Sequence, residues 1–443
     1  MGISPADLRS VEARAIAARA RQASGTDPLR LVAQLRREYP GADPDLVAAI
    51  ATQERLRTRA EGRLGAAAAS MVLTEAGVQQ ATRAPVARYR ARELARRLGS
   101  RGGTVADVGC GLGSDAIALA EAGFDVLAVE QDEWTAQAAE VNLEGLRCSV
   151  IRDNARELDL TGCRAAYCDP ARRSVDGPLP VHGSGRPRPE SDPQRWSPPW
   201  GWVTDLAERV PVVAKAAAGI PASAVPESAE REWIEMDGDV LECCVWFHPL
   251  GHAGRRRATL IAADGDDLAV HTLAADGTVP RVGVVAGTPS VLLEPRACAV
   301  RAGLVDAVAM KLGVGRACPE GTWLAGDAAP ASPWVRAWPV LDVLPDAGRR
   351  RVGGAAPLGD LDRDRRAVLR DLGPITWKTA DAGISADEAA RRLGSRVAGS
   401  TPRHGRGGPS ATVVLLADGR ALWVAEPATP AGRAITGPEG GAP

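Results

Sequence analysis

The stretch VADVGCGLGSDAIALA, residues 105–120, constrains this chain more than any other. A β-rich run delivers Asp107, then Gly109, Gly111 and Gly113 alternate through a turn. The following SDAIALAEAG has the apolar spacing of a helix. Glycine suits such a turn because the backbone can take positive φ and a ligand can approach the main chain closely. The pattern then repeats: FDVLAVE, CSVIRD, CRAAYC and PVVAKAA read as strands, WTAQAAEVNLEGL and WGWVTDLAERV as helices. Strands alternating with helices of this length make βαβ units and a parallel sheet. REWIEMDGDVLECCVWF and RRATLIAAD continue as strands, with a turn at Asp237-Gly238.

The phase of the glycines narrows the ligand. A dinucleotide fingerprint wants glycine at position 114, where this chain has Ser114. Three alternate glycines without that phase suit a nucleoside-sulfonium better than a pyrophosphate. FDVLAVE ends in Glu130, 23 positions after Asp107, where a carboxylate can take both ribose hydroxyls. CSVIRD puts Asp153 at the tip of a third strand, placed to read an adenine amino group. Gln131 and Asn154 follow these two acids directly.

Glycine loop, second-strand acid, third-strand Asp and the fourth-strand Asp169-Pro170 occur in order, and over residues 84–263 the chain resembles class I S-adenosylmethionine-dependent methyltransferases. The resemblance implies a Rossmann-like α/β fold with a seven-stranded sheet and S-adenosylmethionine as cofactor. It assigns Asp107, Gly109, Cys110, Gly111 and Gly113 to the methionine moiety, Glu130 to the ribose and Asp153 to the adenine edge, with Gln131 and Asn154 also cofactor-binding.

CDPARR, residues 168–173, carries the reaction type. The family's amino-group methyltransferases place Asp, Asn or Ser before Pro-Pro-aromatic here. A carboxylate and a backbone carbonyl accepting N–H bonds favour the pyramidal nitrogen that attacks a methyl donor. Asp169 and the Pro170 carbonyl are suited to this, but Ala171 and Arg172 replace the second proline and the ring. Downstream, Ser197-Pro198-Pro199-Trp200 is similar to the catalytic segment of cap-type guanine-N2 methyltransferases, although it follows a Pro-rich loop (174–195) rather than a strand. The candidate catalytic residues are thus Asp169, Pro170, Arg172 and Trp200, with Trp196 or Trp200 either a stacking ring or a core residue; which of the two segments forms the motif stays open. Lys215, at the end of PVVAKAA, is placed either for a phosphate or carboxylate contact or for solvent.

Residues 1–83 read as a helical head, and TRAPVARYRARELARRLGS as one more amphipathic helix whose Arg88, Arg90, Arg92, Arg96 and Arg97 suit a solvated face. Residues 264–427 read as an α+β module ending in a hairpin at Asp418-Gly419, and 428–443 as a disordered tail. DPARR, PPWGWVTDL, VVAKAAAGIP and LLEPRACAVRAGLVDAVAMKLG together resemble bacterial methyltransferases with a THUMP-like C-terminal domain, which implies an RNA partner, tRNA or rRNA. Arg255–Arg257, Arg349–Arg351 and Arg391 with Arg392 would then supply phosphate contacts.

The chain has 443 residues, 45% of them hydrophobic, and a net charge of −1, so it is globular but not uniformly basic. Lys215, Lys311 and Lys378 are its only lysines, an arginine excess that coding bias explains well. The eight cysteines show no C-x-x-C spacing, which argues against a metal site. No apolar leader or bilayer-length stretch is present, so the expected location is cytoplasmic. The expected activity is methyl transfer to a base nitrogen of RNA. The alternatives are a small-molecule or protein acceptor, and a non-catalytic RNA-binding protein that keeps the fold.

Overall fold

The computed structural model describes residues 2–23, 27–172, 181–182, 186–187, 190–264, 267–343, 375–380, 383, 385–392, 411–416, 418 and 420–425. Two compact units divide the chain, the first formed by 1–234, 241–255 and 263–268, the second by 235–240, 256–262 and 269–443.

The first unit opens with helices α1 (Val11–Gln22), α2 (Pro28–Glu38), α3 (Pro44–Leu64) and α4 (Glu75–Gln80). Ser10, Asp27, Asp43 and Thr74 cap them by accepting backbone N–H bonds in their first turns. Their apolar faces enclose Ile16, Leu35, Val47, Ile50 and Leu56, and the same core takes in Leu112 of the glycine turn. Asn142 ties these parts together: its Oδ1 accepts from the Val72 N–H at 2.7 Å, and its Nδ2 donates to the Leu112 carbonyl at 3.0 Å.

α5 (Ala84–Arg97) leads into β1 (Thr104–Val108), α6 (Ser114–Glu121), β2 (Asp125–Glu130), α7 (Glu133–Asn142), β3 (Cys148–Arg152) and β4 (Ala165–Cys168). The long loop contains a two-residue ladder, β5 (Val181–His182) with β6 (Arg186–Pro187). Next come α8 (Trp200–Ala207), β7 (Val212–Ala216), β8 (Glu230–Met236) and β9 (Asp239–Trp246). In the first unit the strands lie in the order β8-β9-β7-β4-β1-β2-β3. The five from β7 to β3 are parallel, and β9 runs antiparallel to β7. Val105, Ala106, Val108, Ala165 and Ala166 are fully buried, as expected for a parallel sheet covered on both faces. The turn between β8 and β9 has positive φ at Asp237 (55°) and Gly238 (87°), matching the expected DG hairpin.

The arginines of α5 depart from the expected solvated face. Arg90 is 3% exposed, pairs with Asp115 and Glu242, and lies 4.4 Å from the Tyr167 ring centre. Arg97 pairs with Glu230 at 2.7 Å and lies 4.1 Å from the Trp246 ring centre. Both fall on the helix stripe with Val86, Ala87 and Leu94, where planar guanidiniums stack on rings and meet buried carboxylates.

The second unit holds most of β10 (Arg256–Asp264) and β11 (Asp267–Ala275), then β12 (Val291–Pro295), α9 (Ala297–Arg301), α10 (Val305–Leu312), β13 (Gly315–Arg316), β14 (Leu324–Gly326), β15 (Val335–Val343), β16 (Ile375–Ala380), β17 (Ala411–Leu416) and β18 (Ala421–Val424). The strands from β12 on form a sheet in the order β13-β14-β12-β15-β18-β17-β16. β17 and β18 are the expected hairpin. Arg349–Arg351 and the tail lie outside the described residues, as do the side chains of Arg391 and Arg392.

Candidate active site

In the parallel set the chain runs from β1 outward to β2 and β3, then returns to β4 on β1's other side. Such a reversal opens a crevice beyond the carboxyl ends of the strands. A cavity of about 500 Å³ lies there, within the range of small-molecule sites.

Three strand tips and the glycine turn build one wall. Gly109 (φ 77°) is needed for close approach, since a Cβ there would stand 3.2 Å from the Asp169 carbonyl oxygen. Gly111 (φ 55°) faces open space. Glu130 accepts the Gly111 N–H at 3.1 Å and the Asp132 N–H at 2.9 Å, which fixes its carboxylate at the cavity. Gln131, Asp153 and Asn154 line the same wall, and Asp153 accepts the Asn154 N–H at 2.7 Å. Cys110 lines it too; burial pushes its thiol pKa up, which disfavours the thiolate.

Two expected residues do not reach the cavity. Asp107 is fully enclosed, and neither carboxylate oxygen has a hydrogen-bond partner among the described residues. Burial, with Asp115 and Asp169 nearby, holds its carboxyl well above the ordinary value, which favours the neutral acid. Gly113 caps α6 in the left-handed conformation and packs on Leu143, so it shapes the turn instead of lining the site.

Beside Gly109, the tip of β4 brings Asp169, Pro170, Ala171 and Arg172 to the same cavity. Lys215 Nζ donates to Asp169 Oδ2 at 2.6 Å and to Thr82 Oγ1 at 3.2 Å. Thr82 donates onward to Asp115 Oδ2 at 2.8 Å, and Arg90 bridges Asp115 to Glu242. Burial raises the Asp169 pKa above its ordinary value while Lys215 works against that. Burial works against the Lys215 charge, yet Asp169 and Glu242 hold its pKa above the usual lysine value. Among the described residues, Asp169 Oδ1 has no hydrogen bond.

The long loop leaves and returns at one place. Ala171 N–H donates to the Ser197 carbonyl at 2.7 Å and Ser197 N–H to the Ala171 carbonyl at 3.0 Å, while Glu190 N–H reaches the Arg172 carbonyl at 2.7 Å. Ser197, Pro198 and Pro199 therefore line the same cavity as Asp169. The two segments adjoin at this cavity. The rings that follow go elsewhere. Trp200 is 1% exposed, donates to the Ala224 carbonyl at 2.7 Å and packs edge-on against Trp196 at 5.7 Å. Trp196 is buried as well and donates to the Glu190 carbonyl at 3.1 Å. Both indoles are core residues, so neither is a stacking ring of this cavity.

No family model matches the chain. Two curated relatives, from Mycobacterium tuberculosis strains CDC 1551 and H37Rv, are each 29% identical over 357 residues, spanning 78% of this chain and 88% of their own. Both are named as uncharacterized S-adenosylmethionine-dependent methyltransferases. A crystal structure of a provisionally assigned methyltransferase from Porphyromonas gingivalis W83 superposes with a TM-score of 0.66, at 18% identity, over 96% of this chain and 98% of that one. The chain has a methyltransferase fold.

On the methyltransferase fold, the wall residues fit S-adenosylmethionine. Gly111 lines the cavity with positive φ and nothing within 4 Å of a Cβ built there, Glu130 presents a fixed carboxylate, and Asp153 with Asn154 adds an acceptor and an amide. Among the described residues no group of three or more His, Cys, Asp or Glu side chains is placed to hold a metal. No described helix of this methyltransferase fold is long and apolar enough to cross a membrane. The residues that sequence reading missed are Thr82, Arg90, Asp115 and Glu242, which support Lys215 and Asp169. An arginine on the apolar stripe of α5 was the one signal for them.

Proposed function

We propose that the chain transfers a methyl group from S-adenosylmethionine to a base nitrogen of RNA. The observation that carries the reading is the convergence of the glycine turn, Glu130 and Asp153 with Asp169-Pro170 on one cavity. When bound, the cofactor supplies an activated methyl group, so the protein's task is chiefly positioning. Glu130, Gln131, Asp153 and Asn154 hold the nucleoside end. Asp169 Oδ1 and the Pro170 carbonyl accept the N–H bonds of the incoming amine and orient its lone pair. Lys215, on Oδ2, favours the carboxylate form of Asp169, the form that accepts.

The finer reading is a class I, Rossmann-like enzyme of the cytoplasm. The strand order with a reversed β9 supports the seven-stranded sheet. We read 264–427 as THUMP-like and RNA-facing, a reading that rests on sequence resemblance and fold analogy. Within it, Arg256 already serves the fold, donating to the Ala302, Gly303 and Gly277 carbonyls, which leaves phosphate contacts to other arginines.

The test is incubation of the protein with methyl-labelled cofactor and total cellular RNA, followed by nucleoside mass spectrometry. Label in a methylated nucleoside, lost with Asp169→Ala, supports the reading. Label in protein or in small molecules, with none in RNA, replaces the substrate class.

A further inference from the structure

The helical head contributes a charged corner to the cavity that the functional reading leaves unused. Arg63 of α3 lines it, together with Gln79 and Gln80 at the end of α4 and Thr82 and Arg83 between α4 and α5. Arg63 Nη1 donates to the Ala81 carbonyl at 2.7 Å, so its guanidinium is fixed in place. Burial and the neighbouring Arg83 charge both push the Arg63 pKa below the usual arginine value.

A third positive contribution meets the two guanidiniums. Arg83 is the N-cap residue of the fourteen-residue α5, whose first turn has neither a side-chain cap nor an acidic residue. A helix start carries partial positive charge, and a cation there is unfavourable. Two like charges held together in a half-buried corner repel as well. An anion at this corner would meet both guanidiniums and the backbone N–H groups of a helix start.

The position of the corner indicates which anion. Along the strand tips, Asp153 follows β3, Glu130 ends β2 and the glycine turn follows β1, so adenine, ribose and methionine ends follow in that order. The head segment meets the cavity at the last of these. A side chain at Gly77 would collide with Leu112 of the glycine turn, and Thr82 bonds Asp115, the second residue of α6.

We propose that Arg63 and Arg83, at the start of α5, bind the carboxylate of the cofactor's amino-acid end. The proposal rests on the cofactor reading above. It gives the helical head a direct part in cofactor binding.

Calorimetry tests it without any acceptor, using S-adenosylmethionine and 5′-methylthioadenosine, which keeps the nucleoside and lacks the amino-acid group. Arg63→Gln and Arg83→Gln should each raise the Kd for S-adenosylmethionine about tenfold and change that for methylthioadenosine less than twofold. Arg83→Lys should recover part of the loss. Retained methylthioadenosine binding also reports that each variant is folded. Equal losses for both ligands would overturn the proposal, making the arginines supports of the pocket. No loss for either would overturn it too; weakened oligoribonucleotide binding in that case would assign the corner to an acceptor phosphate. A wild-type protein that binds neither ligand would instead remove the cofactor reading, and the proposal with it.

Discussion

Lys215 and Lys378 sit in carboxylate pairs, one in each unit, and the pairs are built differently. In the first unit Lys215 takes Oδ2 of Asp169, a residue that lines a cavity, and Oδ1 has no hydrogen bond among the described residues. In the second, Lys378 contacts both oxygens of Glu294, at 2.9 and 3.1 Å. Trp338 donates its indole N–H to the same carboxylate at 3.0 Å, and its ring lies 4.5 Å from Lys378 Nζ, with Trp323 at 5.8 Å. The second pair uses both carboxylate oxygens internally and is walled by rings; the first keeps one acceptor in reserve. Residue type does not separate a chemical pair from a structural one. What separates them is whether an unused lone pair faces a space that a ligand can enter.

The largest effect should come from removing the reserved acceptor. Asp169→Ala should lower kcat by about 10²–10⁴-fold while leaving the Kd for S-adenosylmethionine within a few-fold. Single-turnover methyl transfer and calorimetry read the two separately. Glu130→Ala should do the opposite, weakening cofactor binding first. Full turnover in Asp169→Ala would collapse the distinction between the two pairs.

The next effect tests the ground beneath the first pair. Trp200→Ala should cost about 3–5 kcal/mol of stability, as large aromatic deletions in cores do. Trp200→Phe retains most of the volume and should keep kcat within about threefold, with the lost bond to the Ala224 carbonyl costing about 1 kcal/mol. Chemical denaturation and steady-state rates measured on the same preparations check both. A collapse of kcat in stably folded Trp200→Phe would return the indole to the site.

Lys215→Met should act through ionisation. Burial already raises the Asp169 pKa and Lys215 opposes it, so removing the cation raises that pKa further. Activity needs the carboxylate and is lost as pH falls through its pKa. The acidic limb of the rate profile should therefore move to higher pH, with a loss near neutrality of about tenfold. An unmoved limb would mean that Lys215 does not tune Asp169.

These residues also show how much the sequence disclosed. Glycine spacing, the acids at 130 and 153 and the Asp-Pro at 169 were legible because each marks a strand tip, and strand tips follow from local periodicity. Return of Ser197–Pro199 to Ala171 was not, because the intervening loop has no period and the contact is a two-bond bridge between distant positions. The same limit left open whether Trp196 and Trp200 stack on a ligand or pack in the core. Arg90 and Arg97 misled for another reason: charge argues for solvent, and only their spacing with Val86, Ala87 and Leu94 argued for the interior. Asp107 looked like a ligand group by position in the motif, yet the turn closes over it.

The smallest effect sharpens the comparison from the other side. Lys378→Met removes a cation from Glu294, but Trp338 still donates to that carboxylate, and both side chains keep roughly a quarter to a third of their exposure. A partly solvated pair contributes about 0–1 kcal/mol and the ring contact about 0.5–1 more. Methionine covers Trp338 nearly as well as the lysine stem, which offsets part of the loss. The expected outcome is a destabilisation of about 1 kcal/mol or less, seen as a small shift in the denaturation midpoint, with kcat and the cofactor Kd unchanged within twofold. A kcat loss approaching that of Lys215→Met, at undiminished stability, would show that the second pair also serves the reaction. Internal use of both carboxylate oxygens would then be no sign of a purely structural role.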